Sequence, residues 1–351
     1  MKKKMLAFLF AGLLSVSGLM TGCGGGRAQK AQEYKELGIT QMAGSDYESA
    51  LDSFQKALDQ SLGEVGAEEI DICYYKALAQ FKSGDVKGAI ETYTALIDYD
   101  KKNWEVYYLR GSAYLQDEQR KLCLKDYDQA IELNGKDYEL YTHIFENLSA
   151  AGYEEEGQGY LKKALELKPS GKEGYAGLGY AYFLSGDYEN AEENLKKSVD
   201  EGYDKALLAL GQVYAANNKS EEAKTCFEKY MEKYPKDAEA LNELGGIALG
   251  ASEYAEAATY FEKAMEVAEK GENQSIWRNL ITAYEYAGEF EKALDEAKDY
   301  IVDYPRDDAM QREYEFLQTR VETKTKKQET STEVQGSVDD GSGDGNGASD
   351  E

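Results

Sequence analysis

Histidine, proline and tryptophan are nearly missing from this chain, and each shortage narrows what it can be. The single histidine, His143, closes most routes to imidazole general-base catalysis or zinc ligation, which draw on two or more imidazoles or a cysteine cluster. Three prolines and two tryptophans stand against 29 tyrosines and an abundance of Ala, Glu, Lys and Leu. That inventory has few helix breakers, so the chain reads as all-α. Basic residues are also outnumbered, 40 to 67, and the formal charge of −27 repels phosphates, which excludes nucleic acid as an expected partner. Cys73, Cys123 and Cys226 form no CxxC and read as small buried hydrophobes. No metal, cofactor or catalytic residue is assigned, because no nucleophile with a paired base is visible.

The amino terminus reads as an address. Lys2, Lys3 and Lys4 precede an apolar run from Met5 to Met20, too short for a membrane span, and small residues follow before Cys23. Leu19-Met20-Thr21-Gly22-Cys23 resembles a bacterial lipobox, with Met20 in place of the usual aliphatic residue. That resemblance implies cleavage of a signal peptide (1–22) and acylation of Cys23. At roughly 0.8 kcal/mol per buried CH₂, two or three acyl chains hold a protein on a membrane without a spanning helix. The mature charge is then −30, and residues 23–30 form a short tether.

From Ala31 the chain repeats with a period near 34. Units start at Ala31, Ile70, Trp104, Tyr138, Lys172, Asp204, Ala238 and Gln274. Their eighth positions are Gly38, Ala77, Gly111, Phe145, Gly179, Gly211, Gly245 and Ile281, mostly small. Their twentieth positions are Ala50, Ala89, Cys123, Gly157, Ala191, Ala223, Ala257 and Ala293, all small. Small side chains there let the two helices of a hairpin cross closely, while Phe54, Tyr93, Tyr127, Phe227 and Phe261 fill the space beyond. Pro169, Pro235 and Pro305 all fall at position thirty-two, where proline can end one hairpin before the next.

These residues, clearest in Leu178-Gly179, Tyr182, Gly186-Asp187-Tyr188 and Ala191, resemble the tetratricopeptide repeat (TPR) family over residues 31–307. The resemblance implies a right-handed superhelical solenoid of about eight helical hairpins. Repeats three, four and eight depart from the pattern, with Arg120 and Cys123, Phe145 and Gly157, and Ile281 and Tyr300. Residues 308–323 carry Met310, Tyr314, Leu317 and Val321 as one helical stripe and read as a capping helix over the exposed end of the array. Residues 324–351 lose the periodicity and read as a disordered acidic Gly/Ser/Asp tail. An EF-hand-like spacing from Asp340 to Glu351 is expected to arise from that composition, since no flanking helix supports it.

The family resemblance further implies that positions two, five, nine and twelve of each first helix line a concave groove. Tyr74, Phe81, Tyr108, Tyr180 and Phe183 would offer exposed aromatic anchors there, with Lys205 and Arg278 as cationic groove residues. Lys35 fits a terminal-carboxylate clamp, but Ile39 stands where that arrangement wants Asn. The expected function is a non-enzymatic, membrane-anchored, extracytoplasmic scaffold binding proteins or peptides, with acidity favouring a basic segment in the partner. The anchor would sit on the outer face of the cytoplasmic membrane, or in the outer membrane if the source has two. The competing expectation is a lipoprotein whose tyrosine-rich groove binds a glycan or a free peptide.

Overall fold

The computed structural model describes residues 25–61, 65–268 and 273–336, with side chains to residue 323. The signal segment, Cys23 and the last part of the tail, including the EF-hand-like spacing, lie outside the described residues. Within them there are seventeen helices and no strand.

The chain divides into two units. Unit 1, Met1–Asn217, contains α1 (Gly25–Ala43), α2 (Tyr47–Leu58), α3 (Ala67–Ser83), α4 (Val86–Tyr99), α5 (Trp104–Gln116), α6 (Arg120–Asn134), α7 (Tyr138–Ala150), α8 (Glu154–Leu165), α9 (Gly171–Leu184), α10 (Tyr188–Asp200) and α11 (Ala206–Ala216). Unit 2, Asn218–Glu351, contains α12 (Ser220–Met231), α13 (Ala238–Gly250), α14 (Tyr254–Val267), α15 (Gln274–Tyr286), α16 (Phe290–Asp303) and α17 (Asp308–Gly336). Odd-numbered helices open the expected repeats and even-numbered ones close them. The division falls between α11 and α12, the two helices of the sixth repeat.

The spacing of small residues is explained by the crossings. A Cβ added to Gly38 would stand 2.6 Å from the Phe54 ring, one on Gly111 2.8 Å from Tyr127, one on Gly179 2.7 Å from Leu195 and one on Gly245 2.5 Å from Phe261. Real carbon contacts do not reach such distances, so the two helices of these four hairpins leave no room for a larger side chain at the crossing. The large partners, at position twenty-four, are fully buried, each contributing about 1.5–3 kcal/mol of apolar burial. Repeat four reverses the sizes, and Phe145 of α7 lies over Gly157 of α8, whose added Cβ would meet the Phe145 carbonyl at 3.2 Å. Repeat eight exchanges sizes within α16, where Ala297 stands at position twenty-four and Tyr300, wholly buried, fills the space one turn on.

The turns between the two helices share one device. Position fifteen has positive φ in every repeat: Gly84, Gly152, Gly186 and Gly288, and also Ser45, Glu118, Asn218 and Ser252. This left-handed residue ends the first helix, and the next residue frequently caps the second. Asp46, Asp85 and Asp187 accept from the backbone N–H three residues on, as an N-cap does.

Two boundaries differ from expectation. Helix α1 begins at Gly25 and takes up most of the expected tether, because Arg27, Ala28, Gln29 and Lys30 are sound helix formers and Gln29 bonds Glu33 one turn later. Helix α17 passes Thr323 and runs to Gly336, so the first part of the expected disordered tail is helical. No helix among the described residues is long and apolar enough to cross a membrane.

Candidate functional site

The first helices of unit 1 are joined side to side by residues at positions two, five and nine. Lys35 of α1 reaches Asp71 of α3 at 2.6 Å and Glu68 at 3.6 Å. Tyr74 of α3 bonds Glu105 of α5, and the Tyr180 hydroxyl of α9 donates to Glu146 Oε1 of α7 at 2.8 Å. In unit 2, Asn279 of α15 donates to Asn242 of α13 at 3.0 Å. Within each unit these bonds run between successive first helices, so in unit 1 positions two, five and nine share one side of its first-helix layer, the side that family resemblance assigns to the groove.

On this face, unit 1 combines aromatic rings with carboxylates. Tyr74, Tyr180 and Phe183 are half-buried, with Tyr180 and Phe183 ring centroids 6.0 Å apart and Phe183 in turn 6.1 Å from Tyr188. Glu139 and Glu173 are exposed, and Asp71, Glu105 and Glu146 are half-buried. Burial, then the neighbouring Glu105, pushes the Tyr74 phenol well above its ordinary range, so it stays a neutral donor. Burial opposes the charge on Lys35, but the bond and attraction of Asp71 outweigh it and hold the ammonium above its usual value. Lys35 is thereby committed to acids of its own chain rather than to a partner's carboxylate.

Two expected anchors are inside the protein instead. Phe81 is 8% exposed and Tyr108 7%, and Leu78 and Leu115 are buried with them. Tyr108 stacks on Tyr127, centroids 5.7 Å apart, and its hydroxyl accepts from Asn147 Nδ2 at 3.0 Å. The same amide donates to Tyr127 at 3.2 Å and Ser112 at 3.4 Å. The physical reason is the following repeat: α7 brings a polar Asn147 to position ten, which takes Tyr108 as a buried partner. Burial pushes the Tyr108 phenol up to about 12 and the Cys123 thiol to about 12.

The two expected cations part company. Lys205 is exposed at the start of α11. Arg278 is half occupied by structure: it pairs with Asp307 and its Nε donates to the Tyr300 hydroxyl at 2.8 Å, tying α15 to α16 and the start of α17. His143 lies 6.4 Å from the Tyr108 ring, within the layer. Among the described residues no cluster of three His, Cys, Asp or Glu could hold a metal ion.

Sequence reading missed the acids that pin the tyrosines, Glu105 at position two for Tyr74 and Glu146 at position nine for Tyr180, although acids recur at position two in Glu105, Glu139 and Glu173. It also missed a buried ion pair. Arg110 of α5 donates to both oxygens of Asp126 in α6, at 2.7 and 2.9 Å, and to Thr94 of α4 at 3.0 Å, between the rings of Tyr107 and Tyr114. An arginine at position seven, where repeats five to eight have Leu178, Leu210, Leu244 and Leu280, was the available signal.

Family models described as Tetratricopeptide repeat match residues 74–134, 173–201 and 208–269. The BBSome complex member BBS4 of Bos taurus is 26% identical over 222 residues, 61% of this chain and 42% of that protein. A Protein STIP1 homolog of Dictyostelium discoideum is 33% identical over 90 residues, 26% of this chain and 16% of that one. The chain therefore spans less than half the length of these curated relatives. A solved tetratricopeptide repeat protein from Parabacteroides merdae aligns with a TM-score of 0.49 at 19% identity, over 73% of this chain and 99% of that chain.

Proposed function

Because the chain belongs to the tetratricopeptide repeat family, we propose that it is a protein–protein interaction scaffold that takes partner segments on the first-helix face of unit 1. The observation that carries this reading is the row of half-buried rings, Tyr74, Tyr180 and Phe183, set among the carboxylates of Asp71, Glu105, Glu139, Glu146 and Glu173. Partly exposed aromatic side chains supply large contact area at little entropic cost, and a surrounding acidic field selects a partner with a basic segment and speeds its approach. The repeats occupy the chain from Ala31 to Pro305, which leaves the reading non-enzymatic.

The scaffold acts, on this reading, outside the cytoplasm and on a membrane, held through acyl chains on Cys23. The charged start, short apolar run and lipobox-like Leu19–Cys23 support the anchor. Cell fractionation of wild type beside Cys23→Ser tests it. The expected result is membrane-bound, acyl-labelled wild type and unlabelled Cys23→Ser released from the membrane; labelled acyl chains absent from both would overturn the anchor. Partner capture at low and high salt tests the electrostatic part, with capture expected to weaken as salt rises.

A further inference from the structure

Hydrogen bonds from a tyrosine to a carboxylate recur through the chain, and a second group of the chain usually completes the arrangement. Tyr160 donates to Asp128 at 3.0 Å, and Lys163 stands 3.6 Å from that acid and 4.8 Å from the Tyr160 ring centroid. Tyr214 donates to Glu192, which Lys196 meets at 2.5 Å while lying 5.7 Å over the ring. Tyr300 donates to Asp307, and Arg278 both pairs with that acid and lies 5.9 Å over the ring. Tyr284 donates to Glu262 with Lys292 5.1 Å over its ring, and Asp237, bonded by Tyr230, uses its other oxygen as the N-cap of α13.

Glu146 departs from this pattern. Its Oε1 accepts from Tyr180 at 2.8 Å, yet no cation among the described residues pairs with it. Beside that bond the Phe183 ring lies 6.0 Å from Tyr180 and 6.1 Å from Tyr188, and part of it faces solvent. The position of Phe183 carries Ser149 and Ala215 in the flanking repeats, side chains too short to cover the ring. A half-buried carboxylate without a counter-ion and an aromatic face beside it both attract a cation, the acid by its charge and the ring by its quadrupole.

We propose that Glu146, Tyr180 and Phe183 form a socket for an arginine side chain of the partner, an inference that rests on reading this face as the binding surface for a basic segment. The choice of arginine follows from the chain's own contacts. Arg110 lies between the Tyr107 and Tyr114 rings at 5.8 and 5.7 Å while donating to both oxygens of Asp126, and Arg320 lies over Phe290 and Phe316 at 5.5 and 5.2 Å. Lys163, Lys196, Lys197, Lys263 and Lys292 each lie over one ring. A planar guanidinium stacks on rings and still presents donors at its edge, whereas an ammonium is a compact, strongly hydrated point charge. In the socket the guanidinium face rests on the Phe183–Tyr180 pair and its edge donates to Glu146. The exposed Glu139 and Glu173 lie outside the socket and act through their charge on the whole basic segment.

Fluorescence anisotropy titrations of the full chain with labelled hexa-arginine and hexa-lysine, peptides of equal charge, separate the socket from the general acidic field. Hexa-arginine is expected to bind about 5- to 30-fold more tightly. Glu146→Gln keeps an acceptor for Tyr180, and Phe183→Leu keeps apolar volume without the ring; each is expected to bring the two affinities close to parity. Glu139→Gln removes the same charge outside the socket and is expected to weaken both peptides alike, so that the preference for arginine survives. Equal binding of the two peptides by wild type overturns the socket and leaves the basic-segment reading standing. A preference that persists in Glu146→Gln or in Phe183→Leu, with helical circular dichroism retained, overturns it as well. If neither peptide binds at low salt, the basic-segment reading falls and the socket falls with it.

Discussion

The hydroxyl of Tyr180 donates to Glu146 across the gap between α9 and α7, so an aromatic side chain on the candidate binding face is held in place by an acid of the preceding repeat. The ring is oriented before any partner arrives, and the carboxylate that orients it also contributes to the acidic field. Tyr180→Phe keeps the ring and removes the bond. Its expected effect is a loss of about 0.5–1.5 kcal/mol in urea unfolding, with the far-ultraviolet circular dichroism unchanged. An unaltered midpoint would mean the bond contributes nothing net.

Adjacent glycines in α13 should respond in opposite directions. A Cβ on Gly245 would stand 2.5 Å from the Phe261 ring, whereas one on Gly246 meets nothing within 4 Å. Gly245→Ala is expected to destabilise by about 1–3 kcal/mol through overpacking. Gly246→Ala is expected to stabilise by about 0.5–1 kcal/mol, since it removes a glycine from a helix interior at no steric cost. Thermal melts of the two variants beside wild type check the pair.

The left-handed turn residue offers a second stabilising change. Glu118 has φ 59°, a conformation that strains an L side chain and suits glycine. Glu118→Gly is expected to raise the melting temperature by the equivalent of about 0.5–1 kcal/mol after the entropic cost of glycine. Any lowering of the melting temperature would contradict this reading of the turn.

The buried pair Arg110–Asp126 should tolerate no single truncation. Asp126→Ala strands a half-buried guanidinium beside Thr94 and is expected to cost about 3–5 kcal/mol. Arg110→Met combined with Asp126→Leu, which removes both charges, is expected to recover much of that loss. A double variant no better than the single one would show that the charges themselves hold the α4–α5–α6 contact.

Repeat phase was legible in the sequence because close helix crossings admit only small residues, and Gly38, Gly111, Gly179 and Gly245 mark them at intervals of 73, 68 and 66 residues, two repeats each. What lies on the exposed side of a first helix was harder to read, since exposure depends on the next repeat. Tyr108 and Tyr180 occupy positions that resemblance assigns to one groove. Asn147 of the following repeat draws Tyr108 into the core, while Glu146 fixes Tyr180 at the surface. The size exchange of Ala297 and Tyr300 was equally hidden, because each residue is anomalous alone and only the pair fills the usual volume. The extension of α17 to Gly336 runs through Thr-, Lys- and Glu-rich sequence with no apolar stripe, so periodicity gave no sign of it.

The measurement that bears most directly on the scaffold reading is crosslinking in living cells of the source, with partners identified by mass spectrometry. Wild type is compared with Tyr74→Ala, Tyr180→Ala and Phe183→Ala combined; Tyr108 is left intact because it belongs to the core. The account predicts a reproducible set of partner proteins, joined through segments rich in Lys and Arg, that the triple variant loses while its helical content stays near wild type and it remains folded at the temperature of the assay. The same partners retained by a folded triple variant would contradict a binding role for this face.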